Sequence, residues 1–88
     1  IDLAIVSALL SSYEDVPLPQ NICFAGEVGL SGEIRAVNRI EQRIAEAEKL
    51  GFEKIIVSRY SAKNLNKFHP GIEVLALGKV EELYQLLF

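Results

Sequence analysis

Gly26, Gly29 and Gly32 recur at a spacing of three, and a glycine-rich loop is where phosphate chemistry would first be sought. A nucleotide loop needs Gly-Lys-Ser/Thr opening a helix, so that main-chain amides and the lysine cradle the phosphates. Here Gly32 is followed by Glu33, whose carboxylate repels a phosphate. These glycines read instead as the connection of a β-hairpin. Metal chemistry is poorly supplied, because His69 and Cys23 are each the sole residue of their type and no paired ligand spacing surrounds them. A Ser–His–Asp arrangement needs His69 beside a serine, whereas His69-Pro70-Gly71 reads as a turn before a strand. A Ser–Lys dyad is a further option, since lysine serves as its base. Lys49, Lys54, Lys63, Lys67 and Lys79 are an ordinary complement for a globular domain and single out no serine.

The arginines say more. Arg35, Arg39 and Arg43 gather around the start of one helical segment, and Arg39 and Arg43 stand one turn apart on a shared face. Guanidinium forks suit phosphate oxygens, so the three are candidates for DNA contact. The alternative is a solvated face, with Glu46 three residues beyond Arg43 as a ready partner.

The elements that position these groups follow from the hydrophobic pattern. Asp2 caps a helix over residues 2–12, apolar nearly all round and so expected to be buried on more than one side. Pro17-Leu18-Pro19 ends it. A strand over 22–28, a turn over 29–32 and a strand over 33–37 make the hairpin. The clearest helix covers 39–50, with Asn38 as cap, Glu41 completing a capping box, and Gly51 as the left-handed stop. A strand over 54–57, a short helix over 61–65 capped by Ser61, a strand over 72–77 and a helix over 79–87 complete the pattern. Strands alternating with helices predict an α/β layered domain.

The chain has 88 residues, which is one domain spanning 1–88. Half of them are hydrophobic and 24% are charged, a folded rather than disordered composition. The net charge of −3 excludes a surface that is basic throughout, so nucleic acid must be met by a local patch. The lone Cys23 fits a reducing cytoplasm, and no apolar run approaches the roughly 18 residues of a membrane helix. The opening Ile1-Asp2-Leu3 and the absence of Met read as a fragment of a longer protein.

The run Gly26-Glu27-Val28-Gly29-Leu30-Ser31-Gly32-Glu33-Ile34-Arg35 resembles the C-terminal region of the bacterial RadA (Sms) family. Ile40-Glu41-Gln42-Arg43 and Glu46-Ala47-Glu48-Lys49-Leu50-Gly51-Phe52 resemble it too. Asp2-Leu3-Ala4, Leu9-Leu10-Ser11-Ser12, Pro17-Leu18-Pro19 and Gly71-Ile72-Glu73-Val74 extend the likeness over the whole chain. That region is in turn similar to the proteolytic domain of Lon. The resemblance implies a fold like the second domain of small-subunit ribosomal protein five, a layered sheet with helices. In Lon a serine precedes the first helix, a position falling just before Ile1. Its lysine base follows two glycines, and those positions fall on Glu41, Asn38 and Arg39. Glutamate cannot supply an amine base, so the resemblance implies no catalytic residue and a pseudo-peptidase.

The family further implies a DNA-repair ATPase that assists recombination. It would carry ATP, Mg and Zn outside this segment and assemble as a hexameric ring, with DNA as partner. The expected function is thus a non-catalytic scaffold and DNA-binding domain. The alternatives are an ATP-dependent Lon-like serine peptidase and a purely oligomerising domain.

Overall fold

A computed structural model describes residues 1–65, 67 and 69–88. In chain order it contains α1 (Leu3–Glu14), β1 (Ile22–Ala25), β2 (Glu27–Val28), β3 (Ile34–Arg35), α2 (Ile40–Lys49), β4 (Lys54–Ser58), α3 (Arg59–Ala62), β5 (Glu73–Leu77) and α4 (Val80–Leu87). The expected α/β class is what forms. β1, β4 and β5 make a parallel sheet in the order β1-β4-β5, and β2 pairs antiparallel with β3.

β4 explains the layering. Ile55, Ile56, Val57 and Ser58 are all buried, the continuous run of a strand covered on both faces. Ile55 and Val57 face Ile44 and Ala47 of α2, with Ala25 and Ile72 completing that cluster. Ile56 faces the other way, onto Leu3 of α1, Ile34 of β3 and Leu83 of α4. Alternation along one strand thus serves two separate cores.

Several boundaries differ from the sequence pattern, each for a physical reason. The expected strand 22–28 breaks at Gly26: β1 joins β4, whereas β2 turns away to join β3. A side chain at Gly26 would press on Ile34 Cγ2 and Leu3 Cδ2, both 3.2 Å from its Cβ. The hairpin connection forms as the glycines suggest, with Gly32 N–H donating to the Gly29 carbonyl at 3.0 Å and Gly32 at φ +79°. Asp2 caps α1 as expected, accepting from the Ala4 amide at 2.7 Å. That helix is not buried on more than one side, however: Ile5 and Leu9 are 52% and 61% exposed.

The cap of α2 is not Asn38 but Arg39, which sits left-handed at φ 60°, ψ 43° and makes no side-chain cap. Glu41 therefore closes no capping box, because its carboxylate is engaged elsewhere. Ser58, not Ser61, caps α3, its Oγ accepting from the Tyr60 amide at 3.1 Å while donating to the Ile34 carbonyl at 3.0 Å. Ser61 lies inside that helix, buried, and its hydroxyl has no partner among the described residues. At α4, Glu82 reaches back to the amides of Gly78 and Lys79 at 3.0 and 3.1 Å. Among the described residues no helix is long and apolar enough to cross a membrane.

Candidate functional site

Arg39, Glu41 and Arg43, three of the residues that sequence reasoning singled out, lie at the N-terminal end of α2. Glu41 lies in its first turn, and its side chain, a quarter exposed, turns toward the segment that precedes β5. His69 Nε2 donates to Glu41 Oε2 at 2.9 Å, and the Lys67 amide donates to Glu41 Oε1 at 3.2 Å. Two turns along the same helix, Glu48 Oε2 accepts from the Gly71 amide at 2.7 Å, and its Oε1 stands 3.6 Å from His69 Nδ1. The imidazole, only 8% exposed, is held between two carboxylates. Sequence reasoning took His69 for a turn residue and missed this clamp. The seven-residue interval between Glu41 and Glu48, which puts both on one helical face, was the available signal.

The clamp bears on chemistry. The Glu41 carboxylate is already committed to an imidazole and an amide. Ser7, Ser11 and Ser58 donate to the carbonyls of Leu3, Val16 and Ile34, so their hydroxyls are spent on the main chain. Lys63 Nζ lies over the Tyr60 ring, 5.7 Å from its centroid. Among the described residues no three His, Cys, Asp or Glu converge as a metal site.

The three arginines fare differently from one another. Arg35, on β3, is paired with Glu33: Nε and a terminal nitrogen lie 3.0 and 2.6 Å from Glu33 Oε2. Arg35 holds the Glu33 carboxyl below its ordinary range, chiefly through this hydrogen bond. A Cβ at Gly29 would meet the Glu33 carboxylate and the Arg35 guanidinium, so a side chain there would shift this pair. Arg39 and Arg43 are exposed and one turn apart, the Arg43 amide donating to the Arg39 carbonyl at 3.1 Å. Arg43 also borders a hollow of about 250 Å³ between α2 and β1, walled by Cys23, Ala47, Leu50 and Phe52. Burial pushes the Cys23 thiol above its usual value. Glu46, the partner anticipated for Arg43, lines the same hollow.

Comparison with known proteins gives the family. Residues 1–61 match the family model described as subunit ChlI of Mg-chelatase. The chain is 48% identical over all 88 residues to DNA repair protein RadA of Streptococcus pneumoniae. It is 49% identical over 82 residues to DNA repair protein RadA of Bacillus subtilis, and 43% identical over 82 residues to that of Listeria monocytogenes. It covers 100%, 93% and 93% of itself in these matches, but 21%, 18% and 18% of the relatives, so it spans about a fifth of their length. The chain therefore belongs to the family described as subunit ChlI of Mg-chelatase, and its full length matches a region of DNA repair protein RadA.

Proposed function

We propose that this chain is a non-catalytic scaffold and DNA-contacting domain, Lon-like in fold, of a RadA-type protein in recombinational DNA repair. One observation carries the non-catalytic part: Glu41, on the Lon lysine position, is bonded to His69 and to the Lys67 amide. An ammonium group at that place would meet an imidazole instead of a hydroxyl nucleophile. Arg39 lends support to the alignment. It is left-handed at φ 60°, on a position where Lon keeps a glycine, and such a conformation favours glycine.

The ATP, Mg and Zn of such a parent would be held outside these residues, in a cytoplasmic, ring-forming assembly. DNA contact is assigned to Arg39 and Arg43, with Arg35 contributing less because Glu33 already neutralises it. Fluorescence-anisotropy titration of the domain with DNA at several salt concentrations tests this. Replacing Arg39 and Arg43 by alanine should weaken binding and reduce the salt slope by about one per lost phosphate contact. No binding at low salt, or binding indifferent to both substitutions, would remove the DNA role.

A second reading, a purely oligomerising domain, draws on α1. Ile5, Leu9 and Tyr13 are 52%, 61% and 85% exposed at helical spacing, an unusual outward face for apolar residues. Sedimentation of the parent protein bearing Leu9→Asp distinguishes the two. Loss of the ring with DNA affinity intact would favour oligomerisation alone.

A further inference from the structure

The outer edge of β1 has a use that neither the clamp nor the arginines supply. In a parallel pair, each residue turns its N–H and C=O to the same side, and the side alternates along the strand. The Lys54 amide donates to the Asn21 carbonyl at 3.2 Å, and the register sets Ile22 opposite Lys54. Asn21, Cys23 and Ala25 therefore turn their main-chain groups toward β4. Ile22 and Phe24 turn theirs outward, where no described strand lies; the open stretch ends at Gly26, whose outward carbonyl already accepts from the Leu3 amide at 3.0 Å. A short open stretch of edge of this kind is a template for a short further strand.

Beside that edge lies the hollow of about 250 Å³ already described. It is smaller than the roughly 300–1,000 Å³ of a small-molecule pocket and suits one or two side chains. Leu50 on its wall is 69% exposed, and Arg43 and Glu46 offer one charge of each sign. The other edge of the sheet serves as a comparison. There the Glu73 amide donates to the Glu53 carbonyl at 2.8 Å, which by the same alternation leaves Val74 and Ala76 facing outward. The hollow is lined by residues of β1, α2 and β4 but by none of β5. Among the described residues, the β1 edge combines outward main-chain groups with this apolar recess.

We propose that β1 accepts a further strand from the RadA-type polypeptide outside these 88 residues. Ile22 and Phe24 bond its main chain, and one of its apolar side chains fills the hollow between α2 and β1. This rests on the parentage proposed above. The relatives' length argues for an intramolecular source: the matched region is 21% of the Streptococcus pneumoniae protein, so most of such a polypeptide lies elsewhere. A tethered segment has an effective concentration that a separate peptide does not reach.

Hydrogen exchange at single-residue resolution on the intact parent protein tests the idea. The Ile22 and Phe24 amides should exchange within about tenfold of Cys23 and Ala25, because all four would be bonded. Exchange more than about tenfold faster at Ile22 and Phe24 would overturn the proposal. In the parent carrying Leu50→Asp, an exposed position, Ile22 and Phe24 should lose protection while Cys23 and Ala25 keep theirs. No change there would overturn the role of the hollow. Protection that disappears on hundred-fold dilution would point to a second copy and sink the intramolecular source. DNA binding is read separately, so failure of the arginine assignment leaves these amides to be judged on their own.

Discussion

Replacing Glu41 by lysine puts back the residue that the resemblance to Lon expects, and the structure predicts damage instead of activity. The carboxylate accepts from His69 Nε2 at 2.9 Å and from the Lys67 amide at 3.2 Å. A lysine can accept from neither. Hydrogen bonds to a charged group contribute about 1.5–3 kcal/mol net. The first turn of a helix also disfavours a cation by about 0.3–1 kcal/mol. Loss of the His69 bond alone and the first-turn penalty together give about 2–4 kcal/mol. In a domain of 88 residues that lowers Tm by about 10–30 °C. Thermal unfolding followed by circular dichroism reads it directly, with Glu41→Gln, which keeps one acceptor oxygen, falling between the two. A Glu41→Lys variant melting within about 2 °C of the parent sequence would refute the clamp. Casein degradation by the parent protein with Glu41 unsubstituted would refute the non-catalytic reading itself.

Three further outcomes are expected. Ile56→Ala, which opens space under α1 and α4, should cost about 2–5 kcal/mol in urea unfolding; a cost below about 1 kcal/mol would contradict the second core. Ser61→Ala removes a buried hydroxyl without a described partner and should leave stability unchanged or raise it, so a lower denaturation midpoint would show that the hydroxyl is bonded after all. Glu33 has a folded-state pKa below its unfolded value, so its contribution is present above the unfolded pKa and is lost as pH falls through the folded one. NMR titration should show the Glu33 carboxyl rising toward its ordinary value in Arg35→Ala, and an unmoved titration would exclude Arg35 as the cause.

Much of this architecture could be read from residue pattern, and the failures share a cause. α2 was legible because Ile40, Ile44 and Ala47 repeat at helical spacing and Gly51 supplies the stop at φ +91°. β4 was legible because an unbroken apolar run suits a strand covered twice. The capping box at Asn38 was misread because Asn38-x-x-Glu41 satisfies a local rule that a distant partner outbids: His69 lies 28 residues away and takes the carboxylate. The break at Gly26 was invisible for the same reason. Whether Ile22 to Val28 runs as one strand depends on β4 and β3, not on its own residues. Among the site residues, the arginine spacing was legible, but the neutralisation of Arg35 by Glu33 and the hollow beside Arg43 required tertiary contacts.

The connectivity of the parallel sheet also constrains how the molecule comes to be made. Ile22 pairs with Lys54, and Lys54 with Glu73, so no two neighbouring strands of that sheet are joined by a tight turn. The entropy of closing long loops must be spent before any of these ladders returns it, which slows folding relative to a helical bundle of equal size. On a ribosome, β1 emerges well before the strand that pairs with it. Until Lys54–Ser58 has cleared the exit tunnel, a nascent chain therefore carries an unsatisfied ribbon beside the greasy outer side of α1. That interval is where a chaperone would be needed most.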